Sequence, residues 1–166
     1  NTFDYEKIQT TPIKRKEKTL LFVGINKKRK NLNFLIDVMA LLPKDIKLTI
    51  IGSKNSNDLN INKKINNLNL TKQVSTLGVV DKKTLIEHYQ TSTALIFPSL
   101  LEGFGYPIIE AAAYQLPVIA SNQSALPEIG KNGCLYFNPK DKQDCKERIL
   151  ELINSPLLQK QLIKTN

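Results

Sequence analysis

The chain has 166 residues, 41% hydrophobic and 23% charged, with a net charge of +9 from 24 Lys and Arg against 15 Asp and Glu. That length fits one domain able to bury roughly 70% of its unfolded surface without staples. No apolar run is long enough to span a bilayer and no signal-peptide pattern opens the chain, so a cytoplasmic location is expected, and the positive surplus is compatible with peripheral contact at the inner membrane face. The same surplus attracts phosphates, but with no reading motif and no aromatics beside the basic runs, nucleic acid is not the expected partner. Cys134 and Cys145 lack Cys or His partners at metal spacing and read as reduced, packed thiols.

Residues 1–18 are polar and basic, with Pro12, and read as a linker. Thr19–Val23, ended by Gly24, is the first buried strand, and a basic loop from Ile25 to Arg29 follows it. Leu32, Leu35, Ile36, Met39 and Leu42 recur at helical spacing, so a helix is predicted from Lys30 to Leu42, stopped by Pro43. Leu48–Ile51 then Gly52 repeats the strand-then-glycine pattern. Asp58–Leu70 has helical spacing weakened by its Asn content. Val74–Leu77, ended by Gly78, is a short strand, and Asp81 can cap a helix over Lys82–Gln90. Ala94–Phe97 is a strand ended by Pro98, and Pro107–Gln115 is a helix. Pro117–Ala120 is a strand, Ser124–Ile129 a short turn or helix, Cys134–Phe137 a last strand, and Lys140–Ile153 a helix. Ser155-Pro156 supplies an N-cap and N1 proline for one more.

Strands alternating with helices at this spacing predict an α/β fold with a parallel sheet covered on both faces. Ligands of such sheets bind outside the carboxyl ends of the strands, where Gly24, Gly52, Gly78 and Gly103 should converge. The stretch Ser99–Glu110 concentrates the chemistry. A strand end, a glycine loop and a helix start bring backbone N–H groups toward an anion, with Glu102 before the glycines and Glu110 one turn into the helix. For a nucleotide sugar, Gly103, Phe104, Gly105 and Tyr106 would supply donors to the pyrophosphate, and Arg29 with Lys30 would supply charge. Glu110 can accept both ribose hydroxyls, and Glu102 lies nearer the sugar being transferred. No Asp-x-Asp occurs to clamp a metal diphosphate, so no metal or other cofactor is expected and the nucleotide sugar is itself the substrate. Taken singly, Glu110 is also readable as a helix-dipole carboxylate, Glu102 and Lys30 as solvated loop residues, and Phe104 and Tyr106 as packing for the loop.

From Pro98 the run Pro-Ser-Leu-Leu-Glu-Gly-Phe-Gly-Tyr-Pro-Ile-Ile-Glu-Ala resembles the signature of retaining glycosyltransferases of family 4, two glutamates separated by seven residues. Phe22-Val23-Gly24, Arg29-Lys30-Asn31, Leu77-Gly78-Val79-Val80, Leu116–Asn122 and Leu126-Pro127-Glu128 stand in supporting order. The resemblance implies a GT-B enzyme built from two Rossmann-like domains, with residues 19–166 as the C-terminal, nucleotide-sugar-binding one, residues 1–18 as the interdomain linker and the N-terminal acceptor domain absent. It implies that Lys30 contacts the pyrophosphate and Glu110 the ribose. Glu102 and the Gly103–Tyr106 backbone would meet the sugar and phosphate, and Val80 the base through its main chain. Gly24 would approach the donor, with Glu102 as the catalytic residue. Ile25 stands where many members place an Arg, so one phosphate contact is missing or passes to Lys27, Lys28 or Arg29. The Arg-Lys-Asn form resembles bacterial mannosyltransferases of surface-polysaccharide assembly that use GDP-mannose. The expected partners are a nucleotide-sugar donor, the N-terminal domain and a glycan or lipid-linked acceptor; a non-catalytic nucleotide-binding module with the same rim is the alternative.

Overall fold

The computed structural model describes residues 15, 18–52 and 58–165. Each apolar run forms a strand: β1 (Thr19–Val23), β2 (Lys47–Ile51), β3 (Val74–Gly78), β4 (Ala94–Phe97), β5 (Val118–Ser121) and β6 (Cys134–Phe137). They make one parallel sheet in the order β3-β2-β1-β4-β5-β6. Parallel neighbours cannot be joined by a hairpin, so helices carry the chain back. These are α1 (Leu32–Leu41), α2 (Asp58–Asn67), α3 (Lys82–Thr91), α4 (Tyr106–Ala113) and α5 (Leu126–Gly130), with α6 (Lys142–Asn154) and α7 (Pro156–Thr165) after the last strand.

The two-residue period of the strands divides the core. Leu20 and Phe22 of β1 pack with Ala94 and Ile96 of β4 against α1, α2, α6 and α7, through Leu35, Ile61, Ile149 and Leu162 among others. Leu21, Leu95 and Phe97 face the other way, onto Tyr89 of α3, Ile108 and Ala111 of α4 and Leu126 of α5. Both faces of the central strands are therefore apolar, and each such side chain fully buried is worth about 1.5–3 kcal/mol. The expected α/β architecture, a Rossmann-like parallel sheet with helices on both faces, is the one observed. β3, at the edge, exposes Ser75, Thr76 and Leu77.

Polar ties fix the helices on this frame. Asp37 of α1 pairs with Lys64 of α2 at 2.6 Å and with Lys142 of α6 at 2.8 Å. Arg15 donates to the carbonyls of Gln90, Ser92, Tyr114 and Gln115, and so occupies the C-terminal ends of α3 and α4 together. Of the expected linker, only Arg15 and Lys18 lie within the described residues; Lys18 pairs with Asp45.

Several helix boundaries differ from the sequence reading. Asn31 adopts a left-handed φ of 57°, so the chain makes a 3-10 turn over Lys28–Lys30 and the first helix starts at Leu32 rather than Lys30. Asp141 accepts from the N–H groups of Gln143 and Asp144, which moves the start of α6 from Lys140 to Lys142. The second helix stops at Asn67, short of Leu70, and Asn69 turns left-handed at φ 55°. The fourth runs from Tyr106 to Ala113, with Gln115 left-handed beyond it at φ 54°. Cys134 and Cys145 are free and buried, as expected, and burial pushes the Cys134 thiol up to about 12.

Candidate functional site

β1 and β4 are neighbours, yet the chain leaves β1 for a helix on one face and β4 for a helix on the other. Such a reversal opens a crevice at the carboxyl ends of the two strands. Its walls are the loop of residues 24–31 and the loop of residues 98–105, joined by the Leu100 N–H on the Arg29 carbonyl at 2.7 Å and by the Arg29 guanidinium on the Leu101 carbonyl at 3.2 Å. Of the expected glycine rim, Gly24, Gly52 and Gly78 meet alongside. Gly24 N–H donates to Ile51 and Gly52 N–H to Gly78, both at 2.9 Å. A Cβ on Gly52 would lie 1.8 Å from the Gly24 carbonyl oxygen, so the close approach of the β1 and β2 ends requires glycine there.

Between these two loops Glu102 holds two cations, Lys30 at 2.7 Å and Arg29 at 2.9 Å. Lys30 is 8% exposed, and its ammonium stands 4.6 Å above the centre of the Phe97 ring. Asn31 helps hold that turn by donating to the Pro139 carbonyl at 3.0 Å. Burial raises the Glu102 carboxyl, but Lys30, the Ser99 hydroxyl and Arg29 outweigh it and hold the group below the ordinary glutamate range. Two cations on one carboxylate leave a net positive charge. Ser124, from the loop after β5, clamps the Glu102 backbone from both sides: its hydroxyl donates to the carbonyl at 2.8 Å and accepts from the N–H at 3.3 Å.

Next to Glu102 the two glycines of the motif differ. Gly105, with φ 69°, is the N-cap of α4, and a Cβ on it would meet Leu126 at 3.1 Å. A Cβ on Gly103 would meet nothing within 4 Å. Phe104 and Tyr106 are 52% and 68% exposed, with ring centres 4.9 Å apart, so they form a paired aromatic surface beside the α4 N-terminus rather than buried packing.

Glu110, in the middle of α4, is half-buried and accepts a hydrogen bond from the Tyr89 hydroxyl at 2.5 Å. Burial raises its carboxyl above the ordinary range, and the Tyr89 hydrogen bond offsets that in part. Tyr89 is fully buried and stacks on Tyr114 with centroids 5.7 Å apart.

The fold thus brings together Arg29, Lys30, Glu102 and the Gly103–Tyr106 segment, and sets Glu110 one turn deeper on the same helix. Val80 follows β3, at the far edge of the rim from β4. Lys27 and Lys28, offered as substitutes for the Arg missing at Ile25, are exposed and line a cavity of about 420 Å³ with Asn26, Asn31, Asn33 and Leu100; Arg29 is the cation that turns to Glu102. Two residues escaped the sequence reading. Tyr89 lies within the helix expected over Lys82–Gln90, and its hydroxyl is the signal that it needs a buried partner. Ser124 sits at a left-handed φ of 58° after Asn122-Gln123, a turn-forming run.

A parallel six-stranded sheet in this order, with a charged crevice where the connections reverse, defines a Rossmann-like α/β domain. The chain belongs to the family described as Glycosyl transferases group 1, whose sequence model matches residues 4–166. It is 32% identical over 143 residues to the O-antigen chain mannosyltransferase RfbU of Salmonella typhimurium, which covers 86% of this chain and 40% of that protein. Among solved structures it resembles sucrose-phosphate synthase from Thermosynechococcus elongatus, with a TM-score of 0.81 and 28% identity over 89% of this chain and 39% of that one. It also resembles S. aureus TarM crystallised with fondaparinux, α-GlcNAc-glycerol and UDP, with a TM-score of 0.79 and 27% identity over 96% of this chain and 33% of that one. The chain therefore spans about two fifths or less of the length of these proteins.

Proposed function

We propose that the chain is the donor-binding half of a retaining GT-B glycosyltransferase that transfers a hexose from a nucleotide-diphosphate sugar to a glycan or lipid-linked acceptor during surface-polysaccharide synthesis. The observation that carries this reading is the pair of cations, Lys30 and Arg29, held by Glu102 beside the N-terminus of α4. A diphosphate leaving group needs its growing negative charge stabilised, and fixed cations with a helix terminus supply that at the crevice with no metal required. Glu102 faces the transferred sugar, accepting its hydroxyls or opposing the positive charge that develops as the glycosidic bond loosens. Glu110 takes the ribose hydroxyls, and the Val80 main chain takes the base. GDP-mannose is the favoured donor, since the relative from Salmonella typhimurium is named as a mannosyltransferase. The acceptor is assigned to the second domain of the GT-B architecture.

Thermal unfolding in the presence of GDP-mannose, UDP-glucose, UDP-GlcNAc and their diphosphates tests the reading. Ligand at about 100 times its Kd stabilises by ~2.7 kcal/mol, so a donor raises the midpoint, with GDP-mannose expected to raise it most. No saturable shift with any of them overturns the donor-domain reading. Hexose transfer by the protein with its acceptor domain present separates an enzyme from a binding module.

A further inference from the structure

We infer that Tyr89 is the positioning residue that aims Glu110 at the nucleotide ribose. This rests on the assignment of Glu110 to the ribose made above. The Tyr89 ring is fully buried and stacked on Tyr114, so its hydroxyl has one fixed direction, and that direction ends 2.5 Å from Oε2 of Glu110. α3 and α4, which carry the two groups, are held at their C-terminal ends by the same guanidinium, that of Arg15, so the geometry between them is braced at a second point. A glutamate side chain has three rotatable bonds, and a free one would meet a sugar edge in many orientations. With one lone pair of Oε2 engaged, the carboxylate plane is fixed, and the second lone pair of Oε2 and Oε1, which accepts no hydrogen bond among the described residues, are left to accept one hydroxyl each. A vicinal diol binds a carboxylate well only when the carboxylate is so oriented, because two hydroxyls must be satisfied together. Tyr89 never touches the ligand in this arrangement. It sets how well Glu110 tells a ribose from a sugar without hydroxyls.

The test is Tyr89→Phe, which keeps the ring stack and removes only the hydroxyl. Calorimetric titration compares GDP and UDP with their 2′,3′-dideoxy forms in the wild-type chain and the variant. The wild type should prefer the ribose forms by about tenfold, and in Tyr89→Phe the preference should fall to about twofold with dideoxy affinity unchanged. An equal loss for both sugar forms would make Tyr89 merely structural, and an intact preference would make it irrelevant; either overturns the inference while leaving Glu110 as the ribose acceptor. A wild type with no preference removes the assignment of Glu110 and this inference with it. Should Tyr89→Phe fail to fold, the hydroxyl proton of Tyr89 is the readout in the wild type. Buried on a short hydrogen bond, it should give a slowly exchanging downfield NMR signal that shifts with GDP but not with the dideoxy form; an identical response to both overturns the inference.

Discussion

Glu102 and Glu110 carry the same carboxyl group on one short motif, and the fold pushes them in opposite directions. Glu102 is buried against two cations and sits below the ordinary glutamate value; Glu110 is buried against a phenol and sits above it. The signs follow from linkage. Glu102, with its folded value depressed, contributes stability that is present above the unfolded value of about 4.3 and is lost as pH falls through its lower folded value. Glu110, with its folded value raised, binds its proton first in the folded state, so acidification through that window favours the fold but costs the acceptor that a ribose needs. Affinity for a nucleotide sugar, whose diphosphate diester does not titrate there, should therefore fall by about tenfold on acidification through a midpoint above the ordinary glutamate range. In Glu110→Gln that limb should be flat, and the neighbouring Glu102→Gln should retain it. A limb that survives in Glu110→Gln would place the titration elsewhere. Neither the pairing of Glu102 with Arg29 and Lys30 nor that of Glu110 with Tyr89 was legible in the sequence. The motif singled out the two acids, but the partners lie some twenty to seventy positions away, and only the fold decides which distant cation or hydroxyl arrives.

At the scale of elements, the strand-then-glycine pattern was legible because it expresses local needs. A buried parallel strand is a short apolar run, and its end must turn sharply at the rim. What the pattern does not distinguish is why each glycine is a glycine. Gly52 has the Gly24 carbonyl where a Cβ would be, whereas Gly103 faces open space. Gly52→Ala should therefore drive the ends of β1 and β2 apart and cost about 3 kcal/mol or more, read as a large drop in the unfolding midpoint. Gly103→Ala should leave the midpoint within about 0.5 kcal/mol of wild type. Any loss of donor affinity in Gly103→Ala then belongs to the ligand, because the fold makes no demand at that position; a destabilised Gly103→Ala would show that the loop itself needs the residue. The helix starts were less legible for a similar reason. Asn31 and Asp141 set them through a left-handed φ and a side-chain cap, which hydrophobic spacing does not register.

The whole molecule carries +9, yet among the described residues only Lys30 and Arg29 pair with Glu102. Composition gives a surplus of positive charge without placing it; the order of strands brings the loops after β1 and β4, and with them these two cations, together at the centre of the sheet. The two populations of charge should act on different steps of donor binding. The scattered, exposed lysines create a long-range field that draws a doubly negative nucleotide sugar inward, and salt screens such a field beyond about 8 Å at physiological ionic strength. Lys30 is nearly buried over Phe97 and acts only at contact, where screening is weak. Raising the salt from low to several hundred millimolar should accordingly slow association several-fold and change dissociation little, as followed by stopped-flow with a fluorescent nucleotide diphosphate. Lys30→Met should do the reverse, speeding dissociation by tenfold or more, the kinetic equivalent of losing a charge-assisted contact of about 1.5–3 kcal/mol, while leaving the salt dependence of association in place. If salt acts mainly on dissociation, the scattered lysines contact the ligand directly, and the crevice between β1 and β4 is not where the binding energy is concentrated.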